Sequence, residues 1–148
     1  MPETATQRTD LIKQLSDMTL PMMWILRQDA VRAFEPMGIR PFKALLIELI
    51  AKGMQHPKDL AEVMDTLPPT ISTMLAELEQ EDLVSRQIDS SDRRRIKLSL
   101  TAKGEALHKD MQGRWLELGS DRFKHLSTKE METLYSLFSK LLENREDS

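Results

Sequence analysis

The chain has 148 residues, a net charge of −3 and a sequence pI of about 5.7, so it fits one ordinary domain and carries no overall basic excess that would attract a polyanion. The absence of cysteine excludes disulfides, thiolate zinc sites and peroxide-sensing thiols, and agrees with a reducing compartment. Met1 to Asp10 lacks the apolar core of a signal peptide, and no run reaches the roughly 18 apolar residues of a membrane span. A soluble, cytoplasmic protein without a membrane partner is expected.

Leu11, Leu15, Met18, Met22 and Ile25 recur in steps of four and three, which predicts one apolar stripe on a long first helix behind a frayed polar terminus. Pro36 and Gly38 interrupt it. Phe42, Leu45, Leu46, Leu49 and Ile50 then predict a second helical face that Gly53 ends. His56-Pro57-Lys58-Asp59 opens a short helix with Leu60, Ala61 and Val63 on its buried side, and Met64 to Leu67 reads as a turn. Pro68-Pro69 suits only the start of a helix, and Ile71, Met74, Leu75 and Leu78 follow at i, i+3, i+4 and i+7.

Two segments of period-two alternation come next, Val84/Arg86/Ile88 and Ile96/Leu98/Leu100, separated by the turn residues Asp89-Ser90-Ser91-Asp92 and by Arg93-Arg94-Arg95. From Arg86 to Lys97 there are five basic side chains (Arg86, Arg93, Arg94, Arg95, Lys97) against Asp89 and Asp92, a local basic cluster in an acidic protein. Arginines at a hairpin tip are suited to phosphates and to narrow A·T-rich minor grooves. A solvated basic turn balanced by the two aspartates is the plainer alternative, and the helices before the hairpin weigh against it.

Thr101 is placed to cap a helix carrying Leu107, Met111, Trp115 and Leu118, which runs toward the segment from Gly119 to Lys124. Ser127 and Glu130 have capping-box spacing, and Met131, Leu134, Leu137, Phe138, Leu141 and Leu142 form a broad apolar face before the polar end from Asn144 to Ser148. The order of elements specifies a mainly α fold: a winged helix-turn-helix domain with a small β-hairpin wing, flanked by N- and C-terminal helices. Those terminal helices carry more apolar surface than a compact core needs, which predicts a two-fold homodimer.

The chain resembles the multiple antibiotic resistance regulator (MarR) family of winged-helix transcription factors over nearly its whole length. The residues that carry the resemblance are Asp59-Leu60-Ala61-Glu62, Thr70-Ile71-Ser72-Thr73-Met74-Leu75, Leu78-Glu79, Leu83-Val84-Ser85-Arg86, Asp92-Arg93-Arg94 and Leu100-Thr101-Ala102-Lys103-Gly104. Each is weak alone, but order and spacing together make the match specific. The resemblance implies one MarR-like chain over 1–148, with 11–35 and 102–144 mainly dimerisation helices and 39–101 the winged helix-turn-helix region. It implies a dimer made by the first and last helices, recognition helices in successive major grooves of double-stranded DNA, and wings at the flanking minor grooves. Leu11, Leu15, Met18, Leu134, Leu137, Phe138 and Leu141 are then the dimerisation residues.

Under the same resemblance, Arg94 looks like the arginine that probes the minor groove and Asp92 like the aspartate that orients its basic neighbours. Arg93 and Arg95 become phosphate partners, with Arg86 and Lys97 adding charge and Lys58 and Arg40 as weaker phosphate candidates. Pro69, Thr70, Ser72 and Thr73 fall at the N-terminal end of the recognition helix, with Thr73 and Ala76 off its apolar stripe. Two departures stand out. Where many relatives have arginine this chain has Thr73, and Pro68 to Asp82 holds no Lys or Arg but Glu77, Glu79, Glu81 and Asp82. Bidentate arginine–guanine readout is absent from this helix, so methyl contacts from Thr73 or Ala76, hydroxyl bonds from Ser72 and groove-width sensing by the wing predict an A·T-rich, pseudo-palindromic target. Asp82 stands where relatives often have glycine, which predicts a locally different helix exit.

The function expected from the resemblance is a homodimeric transcriptional repressor, released by a small aromatic or lipophilic anion as effector. Met22, Met23, Trp24, Arg27, Phe34 and Phe42 are the candidate lining residues, with Arg27 to pair a carboxylate, although helical spacing alone accounts for the apolar ones as core or interface. No cofactor, metal or catalytic residue is expected: His56, His108 and His125 are scattered, and no phosphate loop or nucleophile motif appears. The alternative from another class is a winged-helix module whose acidic recognition helix docks a basic protein, with weak or nonspecific DNA binding.

Overall fold

The computed structural model describes residues 5–143, and the polar ends beyond them, including residue 144 of the expected last helix, lie outside it. Its elements are α1 (Ala5–Phe34), a 3₁₀ turn (Glu35–Met37), α2 (Pro41–Ala51), α3 (Pro57–Val63), α4 (Pro68–Gln80), β1 (Val84–Ile88), β2 (Ile96–Leu100), α5 (Ala102–Phe123) and α6 (Thr128–Glu143). The expected mainly α chain with one small antiparallel hairpin is what forms. The chain divides into two compact units, one running to Arg114 and the other starting at Trp115.

In the first unit α3 packs on α4, α2 on β2 and α1, and α4 on β1. Leu46, Ile47, Leu60, Ile71, Leu75, Leu78 and Leu98 are the largest fully buried side chains. Burying a leucine or isoleucine of this kind contributes about 1.5–3 kcal/mol, so the three from α4 alone fix which of its faces turns inward. The opposite face, with Ser72, Thr73 and Ala76, is exposed as expected. Pro57 and Pro68 each stand in the first turn of their helix, where the missing N–H costs nothing.

The α4 exit departs from expectation. Asp82 takes the left-handed conformation itself, φ 59°, in place of a glycine. The Leu83 N–H reaches Leu78 O at 2.9 Å and the Asp82 N–H reaches Glu79 O at 3.0 Å, the paired bonds of a Schellman exit. Thr101 then locks the junction from the far side: its hydroxyl donates to Asp82 O at 2.5 Å and accepts the Gly104 N–H at 3.0 Å, which caps α5 as predicted. A Cβ at Gly104 would run into the Leu83 carbonyl oxygen, so this position admits only glycine without a backbone shift.

In β1–β2 the register pairs Val84 with Leu100, Arg86 with Leu98 and Ile88 with Ile96. The Leu98 N–H also reaches Gln55 O at 2.7 Å, which ties the strand to the segment before α3. Among the apolar strand residues Val84 and Leu98 are buried, whereas Ile88 and Ile96 are exposed at the far end of the hairpin.

Several expected boundaries and faces differ. Helix α1 begins at Ala5, so the polar residues before Leu11 continue it, and Pro21 lies within it. On α2 the buried face is Ala44, Leu46, Ile47 and Ile50, while Phe42 and Leu45 are exposed; the apolar residues surround so much of this helix that their spacing misplaced the stripe. Val63 is 58% exposed, because α3 ends there and only Leu60 and Ala61 face the core. Helix α5 continues through Gly119 to Phe123, and the turn comes at Lys124 to Leu126. The capping box that follows is formed, with Ser127 N donating to Glu130 Oε2 at 2.8 Å and Glu130 N donating to Ser127 Oγ at 3.3 Å. The Ser127 backbone and hydroxyl bonds hold the Glu130 carboxyl below the usual carboxylate range.

Both terminal helices leave apolar surface uncovered. In α1, Leu11, Leu15 and Met18 are exposed, Leu15 by 60%. In α6 no residue is buried, and Leu137, Phe138 and Leu141 are exposed, with Leu134 half-buried.

Candidate nucleic-acid interface

The N-terminal end of α4 presents Pro69, Thr70, Ser72 and Thr73 to solvent, with Ala76 one turn on. The Thr73 hydroxyl donates to Pro69 O at 3.0 Å. Its one donor proton is thus engaged within the helix, whereas its oxygen can still accept a bond and its methyl can make an apolar contact.

The hairpin turn is more highly organised than its composition suggests. Asp89 is only 7% exposed, and its Oδ1 accepts both the Ser91 N–H at 2.8 Å and the Ser91 hydroxyl at 2.6 Å. Those bonds, the hydroxyl one first, hold its carboxyl below the usual range. Its Oδ2 lies 3.4 Å from His56 Nε2, and His56 Nδ1 lies 2.9 Å from Ile96 O. A carbonyl can only accept, so Nδ1 carries a proton. Asp92 closes the tip: its Oδ1 accepts the Arg94 N–H at 3.0 Å, and its carbonyl accepts the Arg95 N–H at 2.9 Å. The carboxylate thus holds the Arg94 backbone and the main-chain carbonyl that of Arg95.

The basic residues divide into two groups. Arg93 and Arg94 are exposed at the tip and form no ion pair among the described residues. Lys97 lies on β2 opposite Gln87, half-buried. Arg95, in contrast, reaches Asp59 of α3 at 3.6 Å, and Arg86 Nε lies 2.8 Å from Glu79 Oε2 of α4. Lys58 lies 3.9 Å from Glu62 on its own helix, and Arg40 is exposed just before α2.

The acidic residues of α4 are held by cations from other elements. Lys43 of α2 reaches Glu77 Oε2 at 2.6 Å and Glu81 Oε1 at 3.2 Å, with its side chain 16% exposed. The Glu77 hydrogen bond raises the Lys43 ammonium above its ordinary value against the opposing effect of burial, and the same bond lowers the Glu77 carboxyl. Lys103 adds a bond to the Glu81 carbonyl at 2.8 Å. The α2–α4 junction also encloses a shallow depression of about 490 Å³ lined by Gly38, Arg40, Phe42, Lys43, Thr70, Thr73, Met74 and Glu77.

Residues 44–96, which include the exposed end of α4 and the arginine-tipped turn, match the model of the MarR family. Over that stretch the chain is similar to the MarR family. Members are transcription regulators, not enzymes. The HTH-type transcriptional repressor MdtR of Bacillus subtilis (strain 168) is 28% identical over 95 residues, a match that covers 62% of this chain and 61% of MdtR, less than two thirds of that relative's length. In fold, the chain is similar to a MarR transcriptional regulator from Methanosarcina mazei Go1, with a TM-score of 0.76, 20% identity and coverage of 92% of this chain and 99% of the other. It is likewise similar to S. aureus MepR in its DNA complex, with a TM-score of 0.71, 23% identity and coverage of 87% and 96%.

Among the MarR-type effector candidates on this chain, Met22, Met23, Trp24 and Arg27 are exposed on α1, with the Arg27 guanidinium 5.7 Å from the Trp24 ring centroid. Phe34 is buried, and Phe42 lines the α2–α4 depression, whose lining includes none of the α1 candidates. Three residues that matter to the site were not legible in the sequence. His56 and Lys43 act across gaps of 40 and 38 residues, respectively. Lys43 has one visible signal: it and Glu48 are the charged residues in an otherwise apolar α2. Asp89 reads as a turn residue, and nothing local announces its burial. His108 is half-buried and joins α5 to α2 through Glu48 Oε2 at 2.7 Å.

Proposed function

We propose that this chain is a MarR-type, cytoplasmic, sequence-specific double-stranded-DNA-binding regulator that acts as a homodimeric repressor on a pseudo-palindromic, A·T-rich operator with half-sites about one helical turn apart. The observation that carries this reading is the pairing of an exposed α4 N-terminal end with a hairpin whose Arg93 and Arg94 are free of ion pairs among the described residues. Thr70, Ser72 and Thr73 supply hydroxyls and methyls for base edges, and the wing arginines supply phosphate and minor-groove charge. The exposed apolar residues of α1 and α6 supply the dimer surface. In support, the chain shares its fold with a relative studied in complex with DNA, and no described helix is long and apolar enough to cross a membrane.

The rival reading, docking of a basic protein on an acidic recognition helix, loses its main support because Glu77 and Glu81 are engaged by Lys43, and Glu79 by Arg86. An effector anion that weakens DNA binding would use Arg27 and the apolar residues near it on α1; calorimetry with aromatic carboxylates checks this, and the absence of saturable binding would contradict it.

The test of the main reading is anisotropy of a labelled mixed-sequence duplex at increasing salt. Binding that falls steeply with salt, and that weakens on replacing Arg93 and Arg94 by alanine, is expected. Equal binding by the doubly substituted protein would contradict the role given to the wing.

A further inference from the structure

The recognition helix of this chain is acidic, and a helix that enters a groove between phosphates should not be. Pro68 to Asp82 contains four carboxylates and no cation. Glu77 and Glu81 follow Thr73 at the fourth and eighth positions, so they continue the exposed side of the helix that begins with the candidate base-contacting residues. Left unpaired, two carboxylates one and two turns along that side would repel the phosphates flanking the groove.

The molecule meets this with one side chain. Lys43 projects from α2, places its ammonium 2.6 Å from Glu77 and 3.2 Å from Glu81, and is itself largely shielded from solvent. Two carboxylates share one cation, and Arg86 lies 2.8 Å from Glu79. Glu77 and Glu81 stay about half exposed, so their field would reach solvent if the lysine were lost.

We infer that Lys43 is a positioning residue for DNA recognition: without contacting the duplex, it masks Glu77 and Glu81 and holds α4 against α2, so that an acidic helix can lie between phosphates. This rests on the DNA-binding reading above. It also gives the thymine-reading helix a reason to dispense with its own cations, because the charge that makes it compatible with DNA comes from behind it.

The test uses the full-length protein and the duplex enriched by that protein from a random pool. Replacing Lys43 by methionine should weaken binding on the order of tenfold at physiological salt, with less loss at high salt, where the exposed carboxylates are screened. Lys43→Met combined with Glu77→Gln and Glu81→Gln should return affinity to within about threefold of the starting protein, as expected when the repulsion is removed. Circular dichroism and chemical denaturation of each variant separate this from unfolding, and Lys43→Arg should retain both affinity and salt dependence. Weak binding that persists in the folded triple variant would mean that Lys43 touches a phosphate directly, and would overturn the inference, as would undiminished binding by Lys43→Met. If the unsubstituted protein enriches no duplex, the DNA-binding reading itself fails and the inference falls with it.

Discussion

Asp89 Oδ2 in the hairpin turn lies 3.4 Å from His56 Nε2 at the start of α3, so the wing is fastened to the helix-turn-helix at its tip side as well as through its strands. The same carboxylate takes both Ser91 donors. An arginine run on a loose turn would have to be ordered on binding; here much of that cost is met in the free protein.

The fastening should fail in acid. The Asp89 carboxyl is held below its ordinary value, so its stabilisation of the turn is complete above the usual carboxylate pKa of about 3.9 and is lost as pH falls through the lower folded value. Nuclear magnetic resonance of the Ser91 amide during acid titration should show a midpoint below that of an ordinary aspartate. A midpoint at the ordinary value would contradict the arrangement. Asp89→Ala should loosen the turn at every pH and weaken DNA binding severalfold, with the helices intact by circular dichroism.

Arg86 and Arg94 should separate cleanly. Arg94 is exposed at the tip, whereas Arg86 is paired with Glu79. Arg94→Ala is expected to flatten the salt dependence of binding by about one unit of slope and to cost most on narrow A·T-rich flanks. Arg86→Met should leave that slope unchanged and cost up to about 1 kcal/mol of folding stability, as for a partly exposed pair. Equal changes in slope for the two would show that Arg86 leaves Glu79 to bind phosphate.

Two glycines in α5 should respond in opposite directions. Gly104→Ala drives a methyl into the Leu83 carbonyl at the α4–β1 junction and is expected to destabilise by about 1–3 kcal/mol. Gly113 has open space around its Cβ position, so Gly113→Ala should stabilise by roughly 0.5–1 kcal/mol through helix propensity. Urea denaturation of both variants decides the matter, and a neutral Gly104→Ala would mean that the junction relaxes freely.

The exposed apolar face of α6 should be an interface between copies. Replacing Leu137 and Leu141 by aspartate is expected to give a monomer in sedimentation and to remove most affinity for a paired operator site. A variant that sediments as a dimer would place the interface elsewhere.

What the sequence showed, and what it concealed, follows from the range of the interactions involved. The double proline and the i, i+3, i+4 spacing of Ile71, Met74 and Leu75 marked α4 because helix start and stripe are local signals. The hairpin was equally legible from its alternation. The face of α2 was misread because Ala44, Leu45, Leu46 and Ile47 are all apolar in succession, and a stripe has no contrast there. The site was half legible. Composition marked Arg86 and Arg95 together with Arg93 and Arg94, but their ion pairs with Glu79 and Asp59 depend on which elements come together in space. The same is true of Lys43, which the sequence offers only as a lysine in a core helix, and of His56, which reads as a residue before a proline.

In the proposed function, two copies of this chain read an A·T-rich inverted repeat through α4 and the wing. Incubation of the purified protein with a random duplex pool at near-physiological salt, followed by sequencing of what it retains over successive rounds, tests this most directly. Enrichment of an inverted repeat is expected, with half-sites about one helical turn apart and A·T-rich flanks where the wings reach. Retention without any shared motif, or no retention, would contradict it.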